Sequence, residues 1–98
     1  MIKKQEVLDF FALHKQLIIE RFGVKHLALF GSVVRDEAHE NSDLDVLVEF
    51  VGGENYRNYF DLLFYLEDHL HCEIDLVSRD AVRPQLKPYI EKEAVYVA

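Results

Sequence analysis

Two short apolar runs joined by a polar link constrain the fold of this chain more than any other feature. The first run covers residues 24–30 and ends at a Gly-Ser pair; the second covers 43–50 and opens with two aspartates, Asp43 and Asp45. Read as β-strands, the runs have a side-chain period of two, so the two aspartates lie on one face of the second strand. If the Gly-Ser turn is to meet these aspartates, the two strands must run antiparallel.

The two aspartates place two negative charges in one small volume. At about 4 Å and an effective dielectric constant of about 20, such charges repel by roughly 4 kcal/mol. Either one carboxyl holds its proton or a cation lies between them. Mg²⁺ takes one or two protein carboxylates and fills its other positions with water and phosphate oxygens. Gly31 lets the backbone approach a phosphate, and Ser32 adds a hydroxyl and an N–H near a predicted helix start, so the pattern predicts a metal–nucleotide site.

The spacing of these residues resembles a known signature. Gly31-Ser32, ten intervening residues and Asp-Leu-Asp at 43–45 resemble the motif of the DNA polymerase beta-type nucleotidyltransferase superfamily. The short chain resembles its minimal nucleotidyltransferase (MNT) branch, whose members are often the antitoxin halves of HEPN-MNT toxin–antitoxin pairs. Arg35 agrees with a basic residue that is frequent at its position. The resemblance covers nearly the whole chain.

The resemblance implies transfer of a nucleotide from a nucleoside triphosphate, with ATP as the expected substrate and two Mg²⁺ ions as cofactors. Asp43 and Asp45 are then the expected catalytic residues and metal ligands. The superfamily has a third acidic residue on a neighbouring strand, and the resemblance assigns that role to Asp75. Glu73 is a competing candidate, because alternation places it on the same face of the predicted strand.

The phosphates of the nucleotide have their own expected partners. The resemblance assigns the β- and γ-phosphates to Gly31 and Ser32. Arg35 lies one helical turn beyond Ser32, so its guanidinium either reaches back toward a phosphate or forms an ion pair with Asp36, Glu37 or one of the aspartates of the motif.

The remaining elements complete a predicted α/β (α+β) fold with a small mixed sheet flanked by helices. Apolar residues recur at helical spacing over 3–22, and Gly23 supplies a stop. The 22 residues between the second strand and a third strand at 73–77 are enough for a helical crossover at 55–71, which makes the third strand parallel to the second. A short helix is also predicted to begin at residue 32 or 33, and another covers 85–93.

The helix over 55–71 is apolar on more than one face. Two explanations remain open for this excess. Part of the surface binds another protein or a second copy of the chain, or the final segment of the chain covers it.

Composition limits the partners. The 98 residues are expected to form one domain, 1–98, with no room for a separate acceptor-binding domain. The net charge of −7, with no run of basic residues, argues against free nucleic acid and suits a basic protein partner. A single cysteine, Cys72, and the lack of an apolar run long enough to span a bilayer or of a signal sequence predict a cytoplasmic protein.

The resemblance further implies adenylylation of a hydroxyl on a cognate HEPN toxin, which would make the chain an antitoxin. Two alternatives stay open. The chain acts as an antitoxin by binding alone, or it modifies a small molecule such as an aminoglycoside.

Overall fold

The computed structural model describes residues 3–38 and 43–98, and these form three α-helices and a four-stranded sheet. The strands lie in the order β3-β2-β1-β4; β1 is antiparallel to β2 and to β4, and β3 is parallel to β2. The predicted fold class and strand directions are therefore confirmed. In chain order the elements are α1 (Lys4–Phe22), β1 (Val24–Phe30), β2 (Leu44–Phe50), α2 (Tyr56–Leu70), β3 (Ile74–Ser78), a 3₁₀ turn (Arg79–Ala81), α3 (Lys87–Glu93) and β4 (Val95–Tyr96).

The strand register brings three strand ends to one edge of the sheet. Phe30, the last residue of β1, lies opposite Asp45 near the start of β2. Asp45 in turn lies opposite Asp75 near the start of β3. Asp45, Asp75 and the end of β1, which the Gly-Ser pair follows, are thereby brought to this edge.

Helices α1 and α2 cover one face of the sheet and build the main core. The side chains of β2 that face them alternate along the strand, as predicted. Burying each such aliphatic or aromatic side chain contributes roughly 1.5–3 kcal/mol. The core residues include Val7, Phe11 and Ile18 of α1, Leu62 and Leu66 of α2, and Leu44, Val46, Val48 and Phe50 of β2.

Local signals fix the helix ends. Helix α1 ends at Gly23, whose φ of 64° is the left-handed conformation that glycine adopts without strain. Helix α2 begins after Asn55, whose side chain accepts the N–H of Asn58 at 3.1 Å. Helix α3 begins two residues later than the predicted 85–93, with Pro88 in its first turn, where the missing N–H costs no hydrogen bond.

The second face of the sheet carries the aspartates and is partly covered by the C-terminal segment. Ala28 and Leu47 are buried there against Val82 and Ile90. Arg79 strengthens this contact, because it donates to Glu49 of β2 and to Glu91 of α3, each at 3.0 Å.

The apolar side chains on the several faces of α2 are only partly buried. Leu62 and Leu66 are fully inside, whereas Tyr56, Phe60 and Phe64 remain exposed, and the last two stack with ring centroids 6.3 Å apart. Val82 and Ile90 of the final segment pack on the other face of the sheet, and Val97 and Ala98 pack against the main core. The three rings stay exposed with this segment in place. Among the described residues, no helix is long and apolar enough to cross a membrane.

Candidate active site

The Gly-Ser pair ends β1 in a compact turn rather than in the predicted short helix. Within the turn the N–H of Arg35 donates to the Gly31 carbonyl at 3.2 Å, and the N–H of Glu37 donates to the Ser32 carbonyl at 2.9 Å. These bonds close loops of different size, so they do not build the regular ladder of a helix. Asp36, with a φ of 58°, then turns the chain away. The expected helix start at Ser32 was therefore wrong, and no helix dipole supports a phosphate here.

Gly31 is the point where the turn touches β2. Its φ is 81°, and a Cβ added to it would overlap the Asp45 carboxylate, with the Asp45 Cγ at 2.8 Å and Cβ at 3.1 Å. A larger residue cannot replace glycine without moving this aspartate. The turn and the carboxylate are thus held in direct contact by the absence of a side chain.

Asp45 and Asp75 form a carboxyl pair across β2 and β3. They are cross-strand neighbours, and Asp45 is half-buried. Burial, then the charge of Asp75 and a hydrogen bond to it, then the charge of Asp43, raise the pKa of Asp45 from 3.8 to about 6. Near neutral pH this edge of the sheet therefore carries excess negative charge that one proton or one cation relieves.

The other two acidic candidates lie at different places. Asp43 precedes β2 and is exposed, although it is near enough for its charge to act on Asp45. Glu73 precedes β3 and is exposed; its carbonyl accepts the N–H of Leu44 at 3.0 Å. The register therefore brings Asp75, rather than Glu73, opposite Asp45.

The three predicted metal ligands, Asp43, Asp45 and Asp75, do not form one cluster. Within residues 3–38 and 43–98, no three His, Cys, Asp or Glu side chains are grouped closely enough to hold a metal ion. Two of them, Asp45 and Asp75, are brought together, with Asp43 alongside. Their chemistry fits a hard divalent cation, because they are carboxylate oxygens whose mutual repulsion such an ion removes.

Arg35 and Glu93 form the second half of the site. Arg35 Nη1 donates to Glu93 Oε2 at 2.8 Å, and Arg35 Nε donates to Glu37 at 3.1 Å. The Gly31 N–H also donates to Glu93 Oε1, at 3.1 Å. Of the open alternatives for Arg35, the structure shows an ion pair with Glu37, and it adds a partner from the end of α3 that the sequence did not reveal.

Tyr59 of α2 is a second neighbour of the site that the sequence did not reveal. Its hydroxyl donates to the carbonyl of Leu76, next to Asp75 in β3. Burial and the charge of Asp75 raise the pKa of this phenol. Its position in the apolar stripe of α2 gave no sign of this contact.

A turn that offers an N–H and a guanidinium beside paired carboxylates is typical of enzymes that transfer phosphoryl or nucleotidyl groups. The comparison with known proteins agrees with this class. The chain belongs to the nucleotidyltransferase domain family, whose sequence model matches residues 13–97. It is a nucleotidyltransferase.

Two relatives align over almost their whole length. A candidate protein adenylyltransferase of Methanocaldococcus jannaschii is 41% identical over 93 residues, which are 94% of this chain and 95% of the relative. The protein adenylyltransferase MntA of Thermococcus cleftensis is 36% identical over 97 residues, which are 99% of this chain and 98% of that protein.

Solved structures share the fold. A candidate minimal nucleotidyltransferase superposes with a TM-score of 0.84 at 32% identity, covering 96% of this chain and 95% of the other. A chain from the complex of a tri-AMPylated Shewanella oneidensis HEPN toxin with an MNT antitoxin gives a TM-score of 0.66 at 15% identity, covering 93% and 71%. The chain therefore has the minimal nucleotidyltransferase fold.

Proposed function

We propose that this chain transfers AMP from ATP, with Mg²⁺, to a hydroxyl group of a HEPN toxin and so acts as its antitoxin. The observation that carries the proposal is the pairing of Asp45 with Asp75 directly beneath the Gly31 turn. The names of the relatives support the choice of AMP as the transferred group and of a HEPN toxin as the acceptor. The single domain 1–98 then provides the donor half of the reaction, and the toxin provides the acceptor half.

The reaction is an in-line displacement at the α-phosphate. A bond forms between the acceptor oxygen and the α-phosphorus, the bond to the bridging oxygen of the β-phosphate breaks, and pyrophosphate leaves. When bound, two Mg²⁺ ions supply stabilisation of the attacking and leaving oxygens.

The site residues divide the tasks of this reaction among them. Asp43, Asp45 and Asp75 would hold the metal ions, and Asp75 would also take the proton of the acceptor hydroxyl. Gly31 and Ser32 bind the β- and γ-phosphates, and Arg35 binds a phosphate beside them. The contribution of the protein is positioning and neutralisation of charge.

The exposed aromatic face of α2 is the proposed docking surface for the toxin. Tyr56, Phe60 and Phe64 are 73%, 49% and 56% exposed, which is unusual for large apolar side chains on one helix. Aromatic residues are enriched in protein–protein interfaces. The net charge of −7 favours a basic partner over free nucleic acid.

The test is a variant with Asp43→Asn and Asp45→Asn, incubated with a HEPN toxin, Mg²⁺ and ATP labelled at the α-phosphate. We expect the label on the toxin to disappear, since both changes remove carboxylates without removing side-chain bulk. A matched control with Asp9→Asn and Asp80→Asn, both exposed, loses the same charge elsewhere and should label the toxin normally. Undiminished labelling by the first variant would refute the assignment.

A second candidate function is neutralisation by binding alone, and the exposed aromatic face of α2 favours it. The two functions separate in one measurement. If the Asp43→Asn, Asp45→Asn variant neutralises the toxin as well as the unchanged protein, binding is sufficient. If neutralisation is lost while the complex still forms, transfer is the mechanism.

A further inference from the structure

Glu93 occupies the hydrogen-bond donors that the proposed function assigns to a phosphate. Its Oε1 accepts the N–H of Gly31 at 3.1 Å, and both of its carboxylate oxygens accept from Arg35 Nη1, at 3.2 and 2.8 Å. A backbone N–H and a guanidinium are two of the donor types that proteins use to bind phosphate oxygens. The carboxylate is therefore bound as an anion would be bound.

The fold holds Glu93 at this place from the far end of the chain. Glu93 is the last residue of α3, and the next residues form β4, which pairs with β1 at Ala28 and Leu29. This pairing brings the end of α3 to the end of β1, where Gly31 lies. The pairing of β4 with β1 therefore fixes the position of Glu93 next to Gly31.

A phosphate and Glu93 cannot use the Gly31 N–H together. A phosphate oxygen accepting this N–H would lie about 3 Å from it, in the position of the carboxylate oxygen. If Glu93 stayed in place, its carboxylate and the phosphate would be in contact, and two negative groups in contact repel each other strongly. The side chain of Glu93 is 30% exposed, so it has access to solvent and room to leave.

We propose that Glu93 is a built-in substitute for a nucleotide phosphate. It holds the donors of Gly31 and Arg35 while no nucleotide is bound, and it leaves them when the triphosphate enters. The inference rests on the proposed function, because it takes the Gly31 turn as the phosphate site. Glu93 therefore weakens nucleotide binding, and its release loosens the junction of α3 and β4.

The test is the affinity of the folded chain for α,β-methylene-ATP with Mg²⁺, measured by calorimetry, since this analogue cannot be cleaved at the α-phosphate. Glu93→Gln keeps the shape of the side chain and removes its charge. Glu91→Gln is the matched control, because it lies on the same helix, removes the same charge and contacts Arg79 instead. We expect Glu93→Gln to bind about fivefold more tightly than the unchanged chain, the upper range for a partly exposed ion pair, and Glu91→Gln to bind as the unchanged chain does.

Three results would overturn the inference. Equal or weaker binding by Glu93→Gln would show that Glu93 does not compete with phosphate, and weaker binding would make it a residue that positions Arg35. If Glu93→Gln and Glu91→Gln bound the analogue more tightly by the same factor, the lower net charge of the chain would explain the effect. If no variant and not even the unchanged chain binds the analogue, the proposed nucleotide site itself fails. Glu93→Ala provides a second variant should Glu93→Gln fold poorly, as judged by circular dichroism.

Discussion

Asp45→Asn should make the protein more stable at pH 8 while it removes a proposed catalytic group. The pKa of Asp45 is raised from 3.8 to about 6, so the folded protein binds this proton more tightly than the unfolded chain does. The stability that the protonated form contributes is complete below about pH 4 and is lost as the pH rises through about 6. Asparagine stays neutral at every pH and can donate to Asp75 as the protonated carboxyl does.

The size of the effect follows from the same shift. The full difference between 3.8 and about 6 corresponds to about 3 kcal/mol. Because Asp45 is only half-buried, solvent screens part of this energy, and we expect a gain of about 1–2 kcal/mol at pH 8. At pH 4 the variant and the unchanged protein should be equally stable.

Urea unfolding at pH 4, 6 and 8 without divalent ions measures this difference. With a slope of about 1 kcal/mol per molar urea, the midpoint at pH 8 should rise by about 1–2 M. Asp80→Asn is the matched control, since it makes the same replacement on the exposed 3₁₀ turn and should not raise the midpoint at pH 8. A gain at pH 8 that persists at pH 4, or no gain at all, would show that the carboxyl pair is not strained.

Two further pairs of variants test the fold and the turn. Gly31→Ala and Gly52→Ala both place alanine at a φ of 81°, which costs about 1–2 kcal/mol, but only the alanine at position 31 meets the Asp45 carboxylate. Only Gly31→Ala should therefore abolish binding of ATP with Mg²⁺, measured by calorimetry. Equal binding of ATP by both variants would refute the contact between Gly31 and Asp45. Leu66→Ala should lower the free energy of unfolding in urea by about 2–5 kcal/mol, because Leu66 is fully buried, whereas Phe64→Ala on the exposed face should change it by less than about 1 kcal/mol. Similar losses in the latter two would mean that α2 packs differently.

The sheet was predictable because its signals are local. Short apolar runs marked β1 and β2, Gly23 marked the end of α1, and the length of the 50–73 connection marked a parallel crossover. Asp45 and Asp75 meet because both lie one residue inside neighbouring strands. These features need only periods, caps and chain lengths, which a sequence displays.

The features that were missed depend on contacts between distant residues. Glu93 lies 62 residues from Gly31 along the chain, and nothing in its own neighbourhood marks it as a partner of the turn. The helix expected at Ser32 failed because the hydrogen bonds of the turn are irregular and Asp36 is left-handed. Leu47 is buried on the face of the aspartates because α3 folds back over it, and α3 has no local signal for that destination.

The register of β1 against β2 ties the architecture of this protein to its chemistry. Since side chains alternate between faces, deletion of one residue within β2 would turn Asp45 toward α1 and α2 and would turn Val46 outward. The core and the acidic pair would then be lost in the same event. Descendants of such a protein can therefore exchange residues within β2, whereas an insertion or deletion beside Asp45 would cost the core and the acidic pair together.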